Sequence, residues 1–189
     1  MVVITRPDFY EEEVAQITAL LGADANFLLH LRKPGATAHQ YRSILSQLPE
    51  GLLERITLGD HFELADEFPV GGVHLSSRQN CYVGKRKLRI SKSCHSLGEL
   101  KDIEGFTYVF FSPIFNSISK QGYNAAFSAE TLLEASAEGL INEKVVALGG
   151  IDANTLPLLE PYAFGGAAVL GTVWFPFNLE NFKEITRYF

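Results

Sequence analysis

Eight short runs, mostly apolar, separated by segments with helical spacing or turn signals, constrain this chain more than any other feature. They are Val2 to Thr5, Phe27 to Leu31, Arg55 to Leu58, Gly72 to Leu75, Leu88 to Ser93, Thr107 to Phe111, Val145 to Leu148 and Ala167 to Leu170. The last two are too short for helices and lead directly into glycine, as buried parallel strands do. Between the runs, Val14, Ile17, Leu20 and Leu21 recur at helical spacing, and Thr37 to Leu48 is a polar helical stretch stopped by Pro49 and Gly51. A short helix is expected over His61 to Glu67, another carries Leu97 and Leu100, and Ser128 caps a further one. Leu179, Phe182, Ile185 and Phe189 stripe a terminal helix. Strands alternating with helices at about 24 residues per unit predict an α/β fold, a small (β/α)8 TIM barrel formed by residues 1–189 as one domain. The fourth crossover, Ser76 to Lys87, has no helical period and is expected to be degenerate. Pro157 leaves the seventh helix two alternative starts, a strained first turn at Asp152 or a cap at Thr155.

Composition limits the partners. With 47% hydrophobic and 20% charged residues the chain is that of an ordered globular protein, and a net charge of −6 gives no general pull towards nucleic acid or anionic membrane. The local basic cluster of Lys85, Arg86, Lys87, Arg89 and Lys92 reads as a solvated turn and strand edge. Two cysteines, Cys81 and Cys94, lack metal-ligand spacing and suggest free thiols in a reducing compartment. The first residues lack the regions of a signal peptide, and no apolar run approaches the ~20 residues of a membrane span, so a cytoplasmic location is expected.

In a barrel the chemistry sits where strands end at the C-terminal face. The loops Gly149, Gly150, Ile151, Asp152 and Gly171, Thr172 offer unobstructed amides at two strand ends, which suits phosphate. The other polar residues at strand ends include Arg32, Lys33, Asp60, His61, Ser93 and His95, a mostly cationic set fit for an anionic substrate. His95 is the candidate for proton transfer because it stands just past a strand with Ser93 two residues before it. The alternative is a surface histidine at the cap of the helix beginning at Ser96. His30 and His74 lie within strands and are expected to be packed or to line the barrel pore. Phe115 and Tyr123 fall in the long sixth loop, where they are placed to close over a heteroaromatic ring. The late aromatic cluster leaves a homodimer interface open.

The runs "SKSCHSLGEL", "FFSPIFNSISKQGYN", "VVALGGID" and "GGAAVLGT", with "LHLRKP", "ITLGDHF" and "GGVHLSSRQN" before them, resemble the thiamine-phosphate synthase and thiazole tautomerase (TenI-like) superfamily in order and separation. The resemblance implies a barrel that binds a small thiazole phosphate and acts in thiamine biosynthesis. It implies a phosphate cradle of Gly149, Gly150, Ile151, Leu170 and Gly171, with Arg32 and Lys33 near the anion. Two activities follow from it. A tautomerase would need no metal and would move a proton through His95, and this is the reading preferred from the sequence. The alternative is a synthase that joins a pyrimidine methyl pyrophosphate to the thiazole phosphate with magnesium (Mg2+), using Asp60 on the metal and Ser93 and Lys120 at the substrate. Gln79 stands where the synthase pattern has a second carboxylate, and Pro34 where it has a lysine. A third alternative is a barrel that binds a thiazole phosphate without catalysis.

Overall fold

The computed structural model describes residues 1–76, 79–116 and 126–188. Eight parallel strands close a barrel in sequence order: β1 (Val2–Ile4), β2 (Leu28–Leu31), β3 (Ile56–Leu58), β4 (Gly72–Leu75), β5 (Arg89–Cys94), β6 (Tyr108–Phe111), β7 (Val145–Leu148) and β8 (Gly166–Val169). Every expected strand is present, with each end within one residue of its expected place. Closure is made by β8 on β1, with Val2 opposite Ala168 and Val3 opposite Val169.

The crossovers vary more than the strands. Helix α1 (Glu13–Ala23) and α2 (Ala38–Leu45) cover the first two, and α2 starts at a capping box in which the Thr37 side chain accepts from Gln40 N. The expected stretch to Leu48 is cut short: α2 ends at Leu45, and Pro49, held extended, precedes a separate turn, α3 (Glu50–Leu53). The third, fifth and seventh crossovers carry only 3₁₀ turns, Phe62–Asp66, Glu99–Lys101 and Leu156–Leu159. The described part of the fourth has no helix, as expected. At the seventh, the element begins after Thr155 and takes Pro157 in its first turn, where a missing N–H costs nothing. Asp152 stays outside it and accepts the amides of Asn154 and Thr155. The remaining helices are α4 (Ala129–Ala137), capped by Ser128, α5 (Gly171–Trp174) and α6 (Leu179–Thr186), which buries Phe182 and Ile185. No helix is long and apolar enough to cross a membrane among the described residues.

Strand alternation sorts the side chains into two layers. Val3, Leu29, Leu31, Ile56, Leu58, Val109 and Val145 face outward into a large core beneath the helices. Val2, Ile4, Tyr108, Phe110, Val146 and Ala168 fill the barrel itself. The bulk comes from β6, and β8 opposes it with small residues. Three members of the basic cluster are tied to backbone: Arg86 donates to the carbonyls of Ala65 and Phe68, Arg89 to that of Glu54, and Lys92 to that of Asp102.

One charged pair is buried beside the barrel. Glu13 opens the apolar stripe of α1 and meets the ammonium of Lys33, which also donates to the carbonyls of Arg6 (2.9 Å) and Asp8 (2.6 Å). Burial pushes Lys33 down and Glu13 up, and the pairing opposes both shifts. Removing one partner strands the other charge, so Lys33→Met is expected to cost about 3–5 kcal/mol. The double variant Lys33→Met with Glu13→Leu should recover most of that loss. Urea midpoints check this, and a single variant no less stable than the double one would show that the pair does not tie the first loop down.

Candidate active site

A cleft of about 630 Å³ opens at the C-terminal end of the barrel. It gathers Arg32, Lys33, Asp60, Ser93 and His95 around a floor that includes His30, His74 and Phe110, with Leu148 on the far wall. The glycine loops follow directly from that wall. Lys120 and Tyr123 lie outside the described residues.

The two glycine loops are joined, and their carbonyls are used up within the protein. Leu148 O and Gly149 O accept the amides of Ile114 and Phe115, each at 3.0 Å. Gly150 O accepts the Thr155 hydroxyl, and Ile151 O accepts the Thr172 hydroxyl across the two loops, both at 2.8 Å. Among the described residues, none of the amides of Gly149, Gly150, Ile151, Leu170 or Gly171 donates to a protein acceptor. Carbonyls turned into the protein and N–H groups left over are what a bound anion needs. Glycine is required for this arrangement at position 150. Its φ is +64°, and a Cβ there would stand 2.2 Å from Asn116 O, so only a bare Cα lets the sixth loop lie against the seventh.

Arg32 leaves β2 towards solvent. Thr5 fixes its backbone, the Thr5 hydroxyl accepting its amide at 2.9 Å, and its guanidinium makes no hydrogen bond or ion pair among the described residues. It is therefore available to an anion. Lys33 departs from expectation: it borders the cleft, but its ammonium is spent on Glu13 and two carbonyls. The reason is alternation, since consecutive residues leaving a strand point to opposite sides.

His95 is placed by Glu99 and Ser112. Its amide donates to Glu99 Oε2 (3.0 Å), the glutamate reaching back over the cap at Ser96, and its ring Nδ1 lies 3.1 Å from Ser112 O. The Ser112 hydroxyl stands 3.2 Å from the same nitrogen, so Ser112 faces the ring with both its carbonyl and its side chain. Both readings of His95, cap neighbour and cleft residue, hold at once. Ser93 does not serve His95. The strand ends at Cys94, His95 swings towards Ser112, and the Ser93 hydroxyl instead meets His74 Nε2 at 3.1 Å.

The floor is a polar network that strand-by-strand reading leaves unpaired. His74 Nδ1 meets Ser91 Oγ at 2.9 Å, and His30 Nε2 meets the Tyr108 hydroxyl. The rings of His30 and His74 lie 5.2 Å apart, each about 5 Å from Phe110. The signal available in the sequence was parity: His30, His74, Ser91 and Tyr108 fall on the inward side of their strands.

Asp60 is half-buried on the cleft wall and accepts the amide of His61 at 3.0 Å. Asn80 borders the same cleft, and the side-chain oxygen of the adjacent Gln79 is buried with no hydrogen-bond partner among the described residues. No group of three histidine, cysteine or acidic residues is arranged for a metal among the described residues. A hard dication such as magnesium needs less protein than that, one or two carboxylates and substrate phosphate oxygens, and the carboxylate of Asp60 on the cleft wall fits that mode.

The family model for TMP-TENI, thiamine monophosphate synthase, matches residues 1–173. The thiamine-phosphate synthase of Marinobacter nauticus is 30% identical, the match covering 85% of this chain and 73% of that protein. The crystal structure of thiamine phosphate pyrophosphorylase from Bacteroides thetaiotaomicron has a TM-score of 0.88 at 35% identity, covering 99% of this chain and 95% of that one. A thiamine phosphate pyrophosphorylase from Pyrococcus furiosus, with a TM-score of 0.75 at 20% identity and covering 98% and 93% of the two chains, supports the fold alone. These relatives carry the name of the synthase, so they side with the alternative activity over the tautomerase preferred from the sequence.

The buried imidazoles make stability depend on pH. Burial, helped by nearby positive charge, holds His30 well below its ordinary value of 6.5 and brings His74 to about 4. The unfolded chain therefore takes up protons that the folded one refuses. Stability is whole above about pH 6.5 and is lost as pH falls towards 4, with a slope of about 1.4 kcal/mol per pH unit for each histidine. Urea midpoints measured between about pH 7 and pH 5 should show this, and His74→Asn should give a shallower slope. Equal slopes would mean that His74 ionises within the fold.

Proposed function

The chain belongs to the thiamine monophosphate synthase (TMP-TENI) family, and from that premise we propose that it is a thiamine-phosphate synthase. The reaction breaks the bond from a pyrimidine methylene to pyrophosphate and makes one from that methylene to a thiazole phosphate. The observation that carries the reading is 35% identity to the Bacteroides thetaiotaomicron pyrophosphorylase along almost the whole chain. The site adds chemical support, because the reaction brings together two anions and this cleft has two separate means of holding them. The amides of Gly149, Gly150, Ile151, Leu170 and Gly171 take the thiazole phosphate. Arg32 takes the pyrophosphate. Asp60, on the cleft that Asn80 also lines, would hold the magnesium ion. When bound, that ion supplies charge to offset what develops on the departing pyrophosphate.

Gln79 in place of a second carboxylate weighed towards the tautomerase on sequence grounds. It weighs less against a cation that the substrate itself helps to coordinate. His95 is compatible with both activities and does not choose between them.

Purified protein given both substrates is expected to form thiamine phosphate with magnesium and none after chelation. Asp60→Asn should lower turnover by about two orders of magnitude, and Arg32→Ala should raise the KM for the pyrophosphate substrate. No product with magnesium present, together with metal-free aromatisation of the thiazole tautomer that His95→Ala abolishes, would replace this reading by the tautomerase. Binding of thiazole phosphate with neither activity would leave a non-catalytic barrel.

A further inference from the structure

Among the described residues, His61 is the one residue other than glycine with a positive φ, at 54° with ψ at 52°. Glycine takes that conformation without steric cost and a residue with a side chain does not, so a histidine found there is held by its surroundings. The ring supplies the hold. Its Nε2 lies 2.7 Å from Ala36 O, and its edge packs on Tyr41, with ring centres 5.2 Å apart and planes at 69°. Tyr41 is fixed to the second loop in turn, since its hydroxyl accepts the amide of Lys33 at 3.0 Å. On the other side of Asp60, Gly59 donates its amide to Leu31 O at 3.0 Å, and a Cβ at Gly59 would stand 3.0 Å from that oxygen and 3.5 Å from Arg32 Cα. Asp60 is therefore bracketed: Gly59 is bonded to the residue before Arg32, and His61 to Ala36 beyond it.

Asp60 and Arg32 carry opposite charges into one cleft, and among the described residues no ion pair joins them. Loops free to shift would let the two charges meet and leave neither for a ligand. We infer that His61 is a positioning residue whose ring clips the Asp60 loop to the Arg32 loop and holds carboxylate and guanidinium at one spacing, so that a divalent cation and a pyrophosphate are bound together as a unit. The inference deepens the synthase reading and rests on it only for the identity of that pair. A cation on Asp60 needs phosphate oxygens to complete its shell, and the same anion must also reach Arg32. The spacing of the two loops decides whether one anion serves both. His61 itself does not line the cleft, so it acts through the backbone of Asp60.

Calorimetric titration of inorganic pyrophosphate into the whole chain, with excess magnesium and with EDTA, tests this without turnover. Magnesium should strengthen binding to the wild type. His61→Asn and His61→Gly should cut that strengthening by about tenfold, as the loss of a residue supporting a metal ligand does. Both variants accept a positive φ, and neither side chain reaches Ala36 O, so the clip goes and the turn stays. His61→Gln, long enough to donate an amide N–H to that carbonyl, should retain most of the effect. Binding of the thiazole phosphate, which the glycine loops take, should be unchanged in all three variants. Unchanged strengthening by magnesium in His61→Asn and His61→Gly, or a weakening that extends equally to the thiazole phosphate, overturns the inference. So does a wild type whose pyrophosphate binding ignores magnesium. A wild type that forms no thiamine phosphate yet shows the magnesium effect, with its loss in His61→Asn and its return in His61→Gln, would sink the synthase reading and support this one.

Discussion

Closure of the eight-stranded barrel is the constraint from which the rest of the molecule follows. Closing β8 on β1 fixes an interior of limited volume that side chains must fill. They fill it unevenly. Val2, Ile4, Phe110, Val146 and Ala168 make the side formed by β1, β6, β7 and β8 apolar, with Tyr108 contributing its ring. His30, Thr57, His74 and Ser91 make the side formed by β2 to β5 polar, all four buried or nearly so. Gly72 accommodates this crowding: a Cβ there would come within 2.8 Å of Thr57 Oγ1. His30, His74 and Ser91 are paired imidazole to hydroxyl, with Tyr108 and Ser93 as the other partners, while Thr57 Oγ1 has no hydrogen-bond partner among the described residues.

The cleft above inherits that division. Over the polar strands lie the side chains of Arg32, Asp60, Ser93 and His95. Over the apolar strands lie two loops whose side chains contribute little and whose amides are free. The loops can offer those amides because their carbonyls are bound elsewhere, to the sixth loop, to Thr155 and to Thr172.

The strands were legible in the sequence because burial on both faces leaves continuous apolar runs, and Val145 to Leu148 reads the same in either description. The glycine loops and His95 were legible from position at strand ends. The partnership of His74 with Ser93 was not, because it depends on β4 and β5 aligning His74 with Ser91, and register between strands has no trace in spacing along one of them. Lys33 was drawn to the substrate by its neighbour Arg32, although alternation sends the two apart. Its true partner had left a sign, since Glu13 occupies the apolar stripe shared with Ile17 and Leu21 and a carboxylate there demands a cation. The third, fifth and seventh crossovers, read as helices, carry 3₁₀ turns of five, three and four residues, too short to hold an α-helical period.

The chain's one tryptophan, Trp174, is buried in α5, stacked on Phe177, and its indole N–H donates to Ile4 O at 2.7 Å. That bond joins the last βα unit to the end of the first strand across 170 positions of sequence. It cannot form until both ends of the chain have met. Emission excited selectively at the indole therefore reports on one event, the shutting of the seam between β8 and β1, while far-ultraviolet dichroism follows the helices as a whole. A difference in rate between the two signals would time the final step of assembly with no label added.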